Sequence, residues 1–406
     1  MANVSSSNGL EKRPRLAFRN TDGSHFPCWR QTSLGCIIEP YSEKVYEEHD
    51  YEVLTSSREG LQRQEDHFGS KQRHDTDGYN IIPFGYCTYR NRSDDGKFAF
   101  NINTISEKAI VSKFYPVFRF TNANSTFMAE FLNSSPRVKK KLSVLAVGTS
   151  QVVLSFAALK AAKFDLPCKD EQDKIAAFLE CLNTRIENQR TLVVALKKYK
   201  RGVVRTLLSP KHCKLKNVEW TTAKIGNIGT FIKGAPLSKA DISSDGTPFI
   251  LYGELYTTYN EVISKVVRKT QASVDKQYYS QIGDVIIPTS GETPEEISTA
   301  SCVMLPDIIL AGDLNIYRCT QVDGRIMSYI LNHVVNDRIA RVAQGKSIVH
   351  VQATEISKIE ITYPDLISQK KLIETFDAIT ARIDQSIREL ELLQVHRKAL
   401  LQQLFI

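Results

Sequence analysis

The sequence has no uninterrupted apolar run of about eighteen residues, the length that a membrane-spanning helix requires. Its first twelve residues, Met1 to Lys12, are polar and rich in serine, and they contain no apolar segment of the kind found in secretion signals. We therefore expect a soluble protein located in the cytoplasm, without a membrane partner.

Cysteine pairs of the kind that bind zinc are also missing. The eight cysteines are scattered, with no two-residue spacing and no nearby histidine pair. In a chain of 406 residues this pattern predicts reduced, structural thiols and neither a disulfide framework nor a metal site.

Motifs that bind nucleotides or carry catalysis are incomplete. Gly345-Lys346-Ser347 resembles the end of a phosphate-binding loop, but Ala340 stands where the loop needs its first glycine. The glycine pair in Ile225–Gly229 lacks the third glycine of a dinucleotide site. Asp95-Gly96-Lys97 has the spacing of a nuclease site, but it lies in a turn cluster. Together these absences indicate a binding protein with no catalytic residue and no cofactor of its own.

The net charge of +8 favours a nucleic-acid partner only weakly. The positive excess lies in residues 1–209, because residues 210–406 contain equal numbers of basic and acidic side chains. Charge alone therefore does not identify the partner.

What the sequence does contain is an internal repeat. Residues 148–208 align with residues 345–405 without a gap, at a constant offset of 345 − 148 = 197. Pro167 aligns with Pro364 and Gln172 with Gln369. Chance does not preserve such spacing over sixty residues, so the two copies share one structure.

Each copy carries apolar residues spaced alternately four and three apart, which predicts a long helix that packs on another helix. The predicted interface consists of Ile175, Leu179, Leu182, Ile186, Gln189, Val193 and Leu196 in the first copy and of Leu372, Phe376, Ile379, Ile383, Ser386, Leu390 and Leu393 in the second. Gln189 and Ser386 are matched polar breaks, as are Lys200 and Arg397 further along. We expect Asp170 or a neighbour to cap the first helix and Ser368 to cap the second.

The segment before each helix mixes short β-rich runs with turn clusters, and ends in a helical run at Phe127–Asn133 or Ile326–Asn332. Trp29 and Trp220 each precede a glycine by six residues. The predicted fold class is α+β, with two globular domains in tandem, each followed by a long helix. The predicted boundaries are 1–165, 166–209, 210–362 and 363–406.

This organisation resembles the specificity subunit of type I restriction–modification systems. The resemblance rests on Gly148-Thr149-Ser150 through Pro167 and Gln172, on their counterparts Gly345-Lys346-Ser347 through Pro364 and Gln369, and on the opening Arg15-Leu16-Ala17-Phe18 with Trp29. It implies that each domain is a target recognition domain for one half of a bipartite site in double-stranded DNA. It also implies that the helices form an antiparallel coiled-coil spacer.

The resemblance further implies a subunit without catalysis. It would recruit two methyltransferase subunits, which use S-adenosylmethionine, and restriction subunits, which use ATP and magnesium. A coiled-coil scaffold whose domains bind protein or RNA is the alternative. A complete restriction–methylation enzyme is disfavoured by the missing motifs.

Candidate DNA contacts are polar, basic or aromatic side chains in turn-rich stretches, because such groups bind base edges and phosphates. They are Ser57, Arg58, Arg63, Gln64, Lys71, Arg73, Arg90 and Arg92 in the first domain, and Lys233, Tyr252, Tyr256, Tyr259, Thr289, Ser290 and Lys346 in the second. Solvated loops are the alternative for the first set, and core packing is the alternative for the tyrosines.

Overall fold

The computed structural model describes residues 14–46, 49–69, 75–343 and 349–405. The chain forms two compact units, which we call unit 1 (Met1–Gln189 with Glu389–Ile406) and unit 2 (Arg190–Arg388). Each unit contains one globular domain and a part of both long helices. The spatial units therefore differ from any division of the chain into consecutive segments.

The described part of unit 1 consists of short strands around a small number of helices. The strands are β1 (Arg30–Ser33), β2 (Ile38–Tyr41), β3 (Glu52–Ser57), β4 (Gly60–Arg63), β5 (Asn80–Pro83), β6 (Cys87–Tyr89), β7 (Arg92–Ser93), β8 (Phe100–Ile102), β9 (Lys108–Val111), β10 (Val117–Phe120), β11 (Val152–Val153) and β12 (Lys163–Leu166). The helices are α1 (Gln64–Phe68), α2 (Ser125–Ser134), α3 (Pro136–Leu145), α4 (Phe156–Ala161) and the long α5 (Lys169–Leu207), which begins here.

Two four-stranded sheets make up most of this domain, in the orders β2-β10-β6-β8 and β4-β3-β9-β5. Strands β1 and β12 pair antiparallel, with Arg30 opposite Leu166, so the chain enters and leaves the domain through neighbouring strands. The core is rich in aromatic residues from the sheet and α2, among them Trp29, Phe118 and Phe127. Ile175 of α5 and Leu404 near the chain end join this same core.

Unit 2 has a similar set of elements. The strands are β13 (Trp220–Lys224), β14 (Gly229–Lys233), β15 (Thr247–Leu251), β16 (Val262–Ile263), β17 (Arg268–Thr270), β18 (Asp284–Pro288), β19 (Ser290–Gly291), β20 (Ser301–Val303), β21 (Ile309–Ala311), β22 (Leu314–Cys319), β23 (Val349–His350) and β24 (Glu360–Pro364). The helices are α6 (Ile225–Ile228), α7 (Glu254–Thr257), α8 (Pro294–Ile297), α9 (Gly324–His333), α10 (Asn336–Val342), α11 (Ala353–Ser357) and the long α12 (Leu366–Leu404).

The strand orders of unit 2 repeat those of unit 1. Its largest sheet runs β14-β22-β18-β20-β16, and its first four strands correspond to β2-β10-β6-β8. Strands β13 and β24 pair antiparallel, with Trp220 opposite Pro364, as β1 and β12 do. The core takes Val204 from α5, Leu208 from the turn directly after it, and Leu372 and Phe376 from α12. The predicted α+β class, the two domains and the two long helices are thus confirmed.

The predicted cap of the second long helix was wrong. Helix α12 begins at Leu366, and Asp365 caps it, because its Oδ1 accepts hydrogen bonds from the backbone N–H groups of Ile367 and Ser368, each at 3.0 Å. Ser368 lies inside the first turn. Helix α5 begins at Lys169, with the Cys168 carbonyl accepting from the N–H of Gln172 at 3.0 Å, so Asp170 also lies in the first turn.

Candidate nucleic-acid interface and its supporting helices

The repeated proline and glutamine form the same hydrogen-bonded clamp in each unit. In unit 1 the side chain of Gln172 donates to the Pro167 carbonyl at 2.9 Å and accepts from the backbone N–H of Asn124 at 2.9 Å. In unit 2 Gln369 donates to the Pro364 carbonyl at 2.8 Å and accepts from the N–H of Asp323 at 2.7 Å. Asn124 and Asp323 are the N-caps of α2 and α9. Each clamp therefore fixes a domain helix to the start of a long helix.

The asparagine at the end of each domain helix also has one role in both units. Asn133 accepts from the backbone N–H of Phe100 at 2.9 Å and donates to the Phe100 carbonyl at 2.7 Å. Asn332 makes the same two bonds with Ala300, at 3.1 and 2.6 Å. The amide thus pairs with both backbone groups of one residue, as a neighbouring strand would, and it joins the helix to the sheet, since Phe100 opens β8 and Ala300 directly precedes β20.

The glycines that follow the two tryptophans mark a close approach of the backbone. A Cβ at Gly35 would lie 3.1 Å from the carbonyl oxygen of Lys160, and one at Gly226 would lie 2.8 Å from the Cβ of Ser357. Lys160 and Ser357 are themselves repeat partners, since 160 + 197 = 357. In unit 1 the indole Nε1 of Trp29 donates to Glu171 at 3.2 Å, next to the clamp. Because these glycines have no Cβ, the short helices α4 and α11 can pack closely against the start of each domain.

The fourteen residues of the predicted helix interface all lie on buried or half-buried positions of α5 and α12. In unit 1 Arg397 donates to Asn183 at 2.6 Å, and Gln189 donates to Glu389 at 3.1 Å. The contact at Asn183 is thus with residue 397 of α12, and the contact further along α5, at Gln189, is with the earlier residue 389. The helices run antiparallel in this unit, as predicted.

The polar breaks at Lys200 and Arg397 bind the globular domains. The Arg397 guanidinium pairs with Glu130 of α2 as well as with Asn183. In unit 2 the Lys200 ammonium lies 2.9 Å from Glu261 and 5.1 Å above the ring of Tyr329 on α9. Glu130 and Glu261 escaped the sequence analysis, because an isolated acidic residue carries no local pattern.

Glu261 is the centre of a buried charged cluster in unit 2. Its Oε1 lies 2.7 Å from Nε2 of His333, and its Oε2 accepts from Lys200. Burial alone would raise the pKa of Glu261, but the hydrogen bond from His333 and the positive charge of Lys200 together lower it to about 2. The carboxylate therefore stays ionised and joins Lys200 of α5 to His333, the last residue of α9.

Three DNA candidates of the first domain, Ser57, Arg58 and Arg63, lie on the β3–β4 hairpin. Arg58 is exposed at this turn and pairs with Asp95 at 2.6 Å. The hydroxyl of Ser57 donates to the Gly60 carbonyl at 3.0 Å, and Arg63 pairs with Glu52 at 2.9 Å. Desolvation alone would raise the pKa of Asp95, but the hydrogen bonds from Ser93, Lys97 and Arg58 together hold that pKa below its usual range.

Three further candidates in this domain have different settings. Gln64 is the first residue of α1 and is half-buried. Arg90 is exposed, and Arg92 is exposed with its guanidinium carbon 4.9 Å above the ring of Phe114. Lys71, Arg73 and Lys346 lie outside the described residues, so the structure does not place them.

In unit 2 the candidates divide into two groups. Lys233 and Thr289 line one cavity, and Ser290 donates to Asp313 at 3.2 Å beside it. The three tyrosines are half-buried and pack on an apolar cluster. The hydroxyl of Tyr256 donates to the Ser290 carbonyl, and that of Tyr259 accepts from the N–H of Val267 at 3.2 Å. Tyr252 packs edge-on against Tyr256. These contacts support the packing alternative for the tyrosines.

Metal and membrane features are not found in the described part of the chain. No group of three or more histidine, cysteine or acidic side chains there could hold a metal ion. Among the helices of the described ranges, none combines the length and apolar character that crossing a bilayer demands. The eight cysteines are free thiols, and burial raises the pKa of Cys87 and Cys302.

Comparison with known proteins identifies the family. A family profile described as "Type I restriction modification DNA specificity domain" matches residues 39–196 and 217–393, once in each half of the chain. No curated protein sequence matches the chain.

Two solved structures share the fold. The crystal structure of the S subunit of a type I restriction–modification system from M. genitalium is 16% identical, with a TM-score of 0.55 over 97% of this chain and 99% of that one. A structure reported for complex assembly and conformational transition of the type I R-M system is 15% identical, with a TM-score of 0.58 over 93% of this chain and 97% of that one.

The double match confirms the tandem target recognition domains and a role in supplying DNA specificity, which is a non-catalytic role within a larger enzyme. It does not favour the scaffold alternative. Members of this family assemble with other restriction–modification subunits and with DNA. The match covers more than half of the chain, which therefore belongs to the type I restriction–modification DNA specificity family.

Proposed function

We propose that each globular domain reads one half of a bipartite site in double-stranded DNA, and that α5 and α12 set the distance between the halves. The observation that carries this proposal is the repeated clamp of Gln172 and Gln369, with hydrogen bonds of 2.7 to 2.9 Å in both units. Two different domains are thereby joined in the same way to two matching helices.

The helices have the dimensions of a spacer. Each contains 39 residues and, at about 1.5 Å per residue, is about 58 Å long. A stiff element that joins two reading domains fixes the separation of their half-sites, as the symmetry axis of a dimer does. The unread gap in the target then follows from helix length.

The partners that we propose are two methyltransferase subunits, which bring S-adenosylmethionine, and restriction subunits, which bring ATP and magnesium. Large apolar side chains that stay exposed on each of the long helices support the docking of partners on these helices. They are Val194 and Tyr199 on α5, at 64% and 60%, and Leu392 and Val395 on α12, at 55% and 62%.

The test is to determine which DNA duplexes the full-length chain selects from a library with two randomised blocks separated by variable gaps. Selection is done with and without the methyltransferase subunits. A bipartite preference at one gap length supports the proposal. Binding without sequence preference contradicts it and favours a scaffold.

A second measurement tests the spacer. One additional heptad in each helix lengthens both by about 10.5 Å and keeps their register. The selected gap should grow by about 3 base pairs, given about 3.4 Å per pair. A heptad inserted in α12 alone is the control, since it breaks the register. An unchanged gap in the double insertion would rule out the helices as the spacer.

A further inference from the structure

Unit 2 contains an open cavity of about 630 Å³ beside the paired strands β14 and β22. Cavities that bind ligands commonly measure about 300–1,000 Å³. The lining includes Lys233, Thr289, Asp313, Asn315 and His350. The cavity thus brings two predicted DNA contacts, Lys233 and Thr289, together with polar residues that the sequence analysis did not select.

Asn315 is the unusual member of this lining. Its side chain is only 2% exposed, and its Nδ2 has no hydrogen-bond partner within the described part of the chain. It lies on β22 between Lys233 of β14 and Ile287 of β18. A buried amide donor without a partner lowers the stability of the fold. The fold itself therefore gives no reason for an amide here.

Other buried asparagines of the chain behave differently. Asn103, which is fully buried in unit 1, donates to the carbonyls of Ile82 and Ser106, each at 2.9 Å, and accepts from the N–H of Ile105 at 3.0 Å. Such an amide holds the backbone together. The Nδ2 of Asn315 makes no comparable hydrogen bond to the residues that the structure describes, which points to a partner outside the chain.

The neighbours of Asn315 indicate the chemistry of that partner. Lys233 supplies a cation and Thr289 a hydroxyl, while the carboxylate of Asp313 already accepts from Ser290 at 3.2 Å. The position of Thr289 is fixed by its own N–H, which donates to the Asp313 carbonyl at 2.8 Å, and by its carbonyl, which accepts from Val351 at 3.1 Å. The wall therefore offers hydrogen-bond donors and a positive charge at Lys233, together with the negative charge of Asp313.

We propose that Asn315 is a specificity-determining residue that reads a base edge in the half-site bound by unit 2, with Lys233 on the adjacent phosphate. An asparagine amide pairs with the N6 and N7 atoms of adenine, and lysine binds phosphate. The terminal torsion of asparagine is soft, so the amide can turn toward a partner in the cavity. This inference rests on the proposed function.

The test compares the wild-type full-length chain with Asn315→Leu, a substitution of similar size, in selection from the randomised duplex library. We expect the variant to lose its preference at one base pair of one half-site, by about tenfold or more, and to keep the other half-site unchanged. Its unfolding midpoint in urea should not fall, because no internal hydrogen bond is lost.

Asn103→Leu is the matched control. It should lower the unfolding midpoint and leave the preference at the half-site of unit 2 unchanged. If Asn315→Leu lowers the midpoint and keeps the wild-type preference, the amide is structural and the inference is overturned. If the wild-type chain selects no bipartite sequence, the proposed function fails and this inference fails with it.

Lys233→Gln provides a second variant at the rim of the cavity. It should weaken binding to all duplexes alike and reduce the salt dependence by about one phosphate contact. Unaltered binding and salt dependence would overturn the placement of DNA at this cavity, even if Asn315→Leu proved unable to fold.

Discussion

Gln172 accepts a hydrogen bond of 2.9 Å from the backbone N–H of Asn124, the residue that caps α2. Gln369 repeats this bond with Asp323, the cap of α9. In each unit the glutamine Nε2 donates to the carbonyl of the proline that precedes its own helix, and its Oε1 accepts from the cap residue of a different helix.

Gln172→Leu should destabilise unit 1 by about 2–4 kcal/mol, because it leaves the Asn124 N–H and the Pro167 carbonyl without their partner. Urea unfolding of the full-length chain measures the loss. Gln394→Leu, at an exposed position of α12, is the control and should be close to neutral. Equal stability of the two variants would show that the clamp contributes nothing.

Gly202→Ala should stabilise the protein by about 0.5–1 kcal/mol, because glycine is a poor residue for the middle of a helix. A Cβ at Gly202 of α5 would meet no atom within 4 Å, and the repeat partner in α12 is Ala399, since 202 + 197 = 399. Thermal unfolding provides the comparison.

Gly226→Ala is the matched contrast to that substitution. Its Cβ would lie 2.8 Å from the Cβ of Ser357, so α11 must shift away from α6, and the melting temperature should fall. A gain of stability at Gly226 would contradict the close packing of these two helices.

The charged cluster around Glu261 predicts a dependence of stability on acid. The pKa of Glu261 is about 2 in the folded chain and 4.5 when unperturbed. Because the folded value is the lower one, the stabilisation is complete above pH 4.5 and is lost as the pH falls toward 2. The loss over this window should be on the order of 2–3 kcal/mol.

Glu261→Gln isolates this contribution. The free energy of unfolding of the variant should vary less between pH 4.5 and 2 than that of the wild type, although the variant is less stable at pH 7 because Lys200 loses its buried partner. Parallel curves for the two proteins would mean that Glu261 titrates normally.

Arg58→Ala should lower affinity for the selected duplex by about tenfold or more and affinity for random duplexes only slightly, since an arginine at a base edge discriminates between sequences. Arg119→Ala is a suitable control, because Arg119 is also an exposed arginine of unit 1 in an ion pair, with Glu39. Neither substitution should change stability by more than about 1 kcal/mol. Equal losses on both kinds of duplex would make Arg58 a phosphate contact.

The sequence was a good guide wherever a structural role repeats with a fixed spacing. The heptad stripe, the two prolines and the two glutamines are all separated by the same 197 residues, so one copy tests the other. The shared Leu-Asn ending of the domain helices also has a common cause, because Asn133 and Asn332 both pair with the backbone of a residue at, or directly before, the start of a strand. Repetition made these positions visible without a structure.

Contacts between residues far apart in the chain were not visible in this way. In the sequence, Lys200 only interrupts the apolar heptad pattern. In the structure its ammonium donates a hydrogen bond to Glu261, which lies 61 residues later in the chain. Ser368 has a side chain that commonly caps helices, but Asp365 is the cap of α12. Asp365 also accepts a hydrogen bond from the backbone N–H of Glu219, the residue directly before β13, and this contact fixes its position. Tertiary contacts decide such cases, and local preference does not.

The pairing of β1 with β12, and of β13 with β24, means that each recognition domain is an insertion between two neighbouring strands, which could be replaced as a unit. In each domain the incoming and outgoing strands lie side by side, about 5 Å apart, and the outgoing strand leads directly into the long helix. A different sequence between Ser33 and Lys163, or between Lys224 and Glu360, must match these paired strands and must also provide the contacts to the long helices that Asn124 and Glu130, or Glu261 and Asp323, make here. Base preference and half-site spacing are therefore separable properties of one chain.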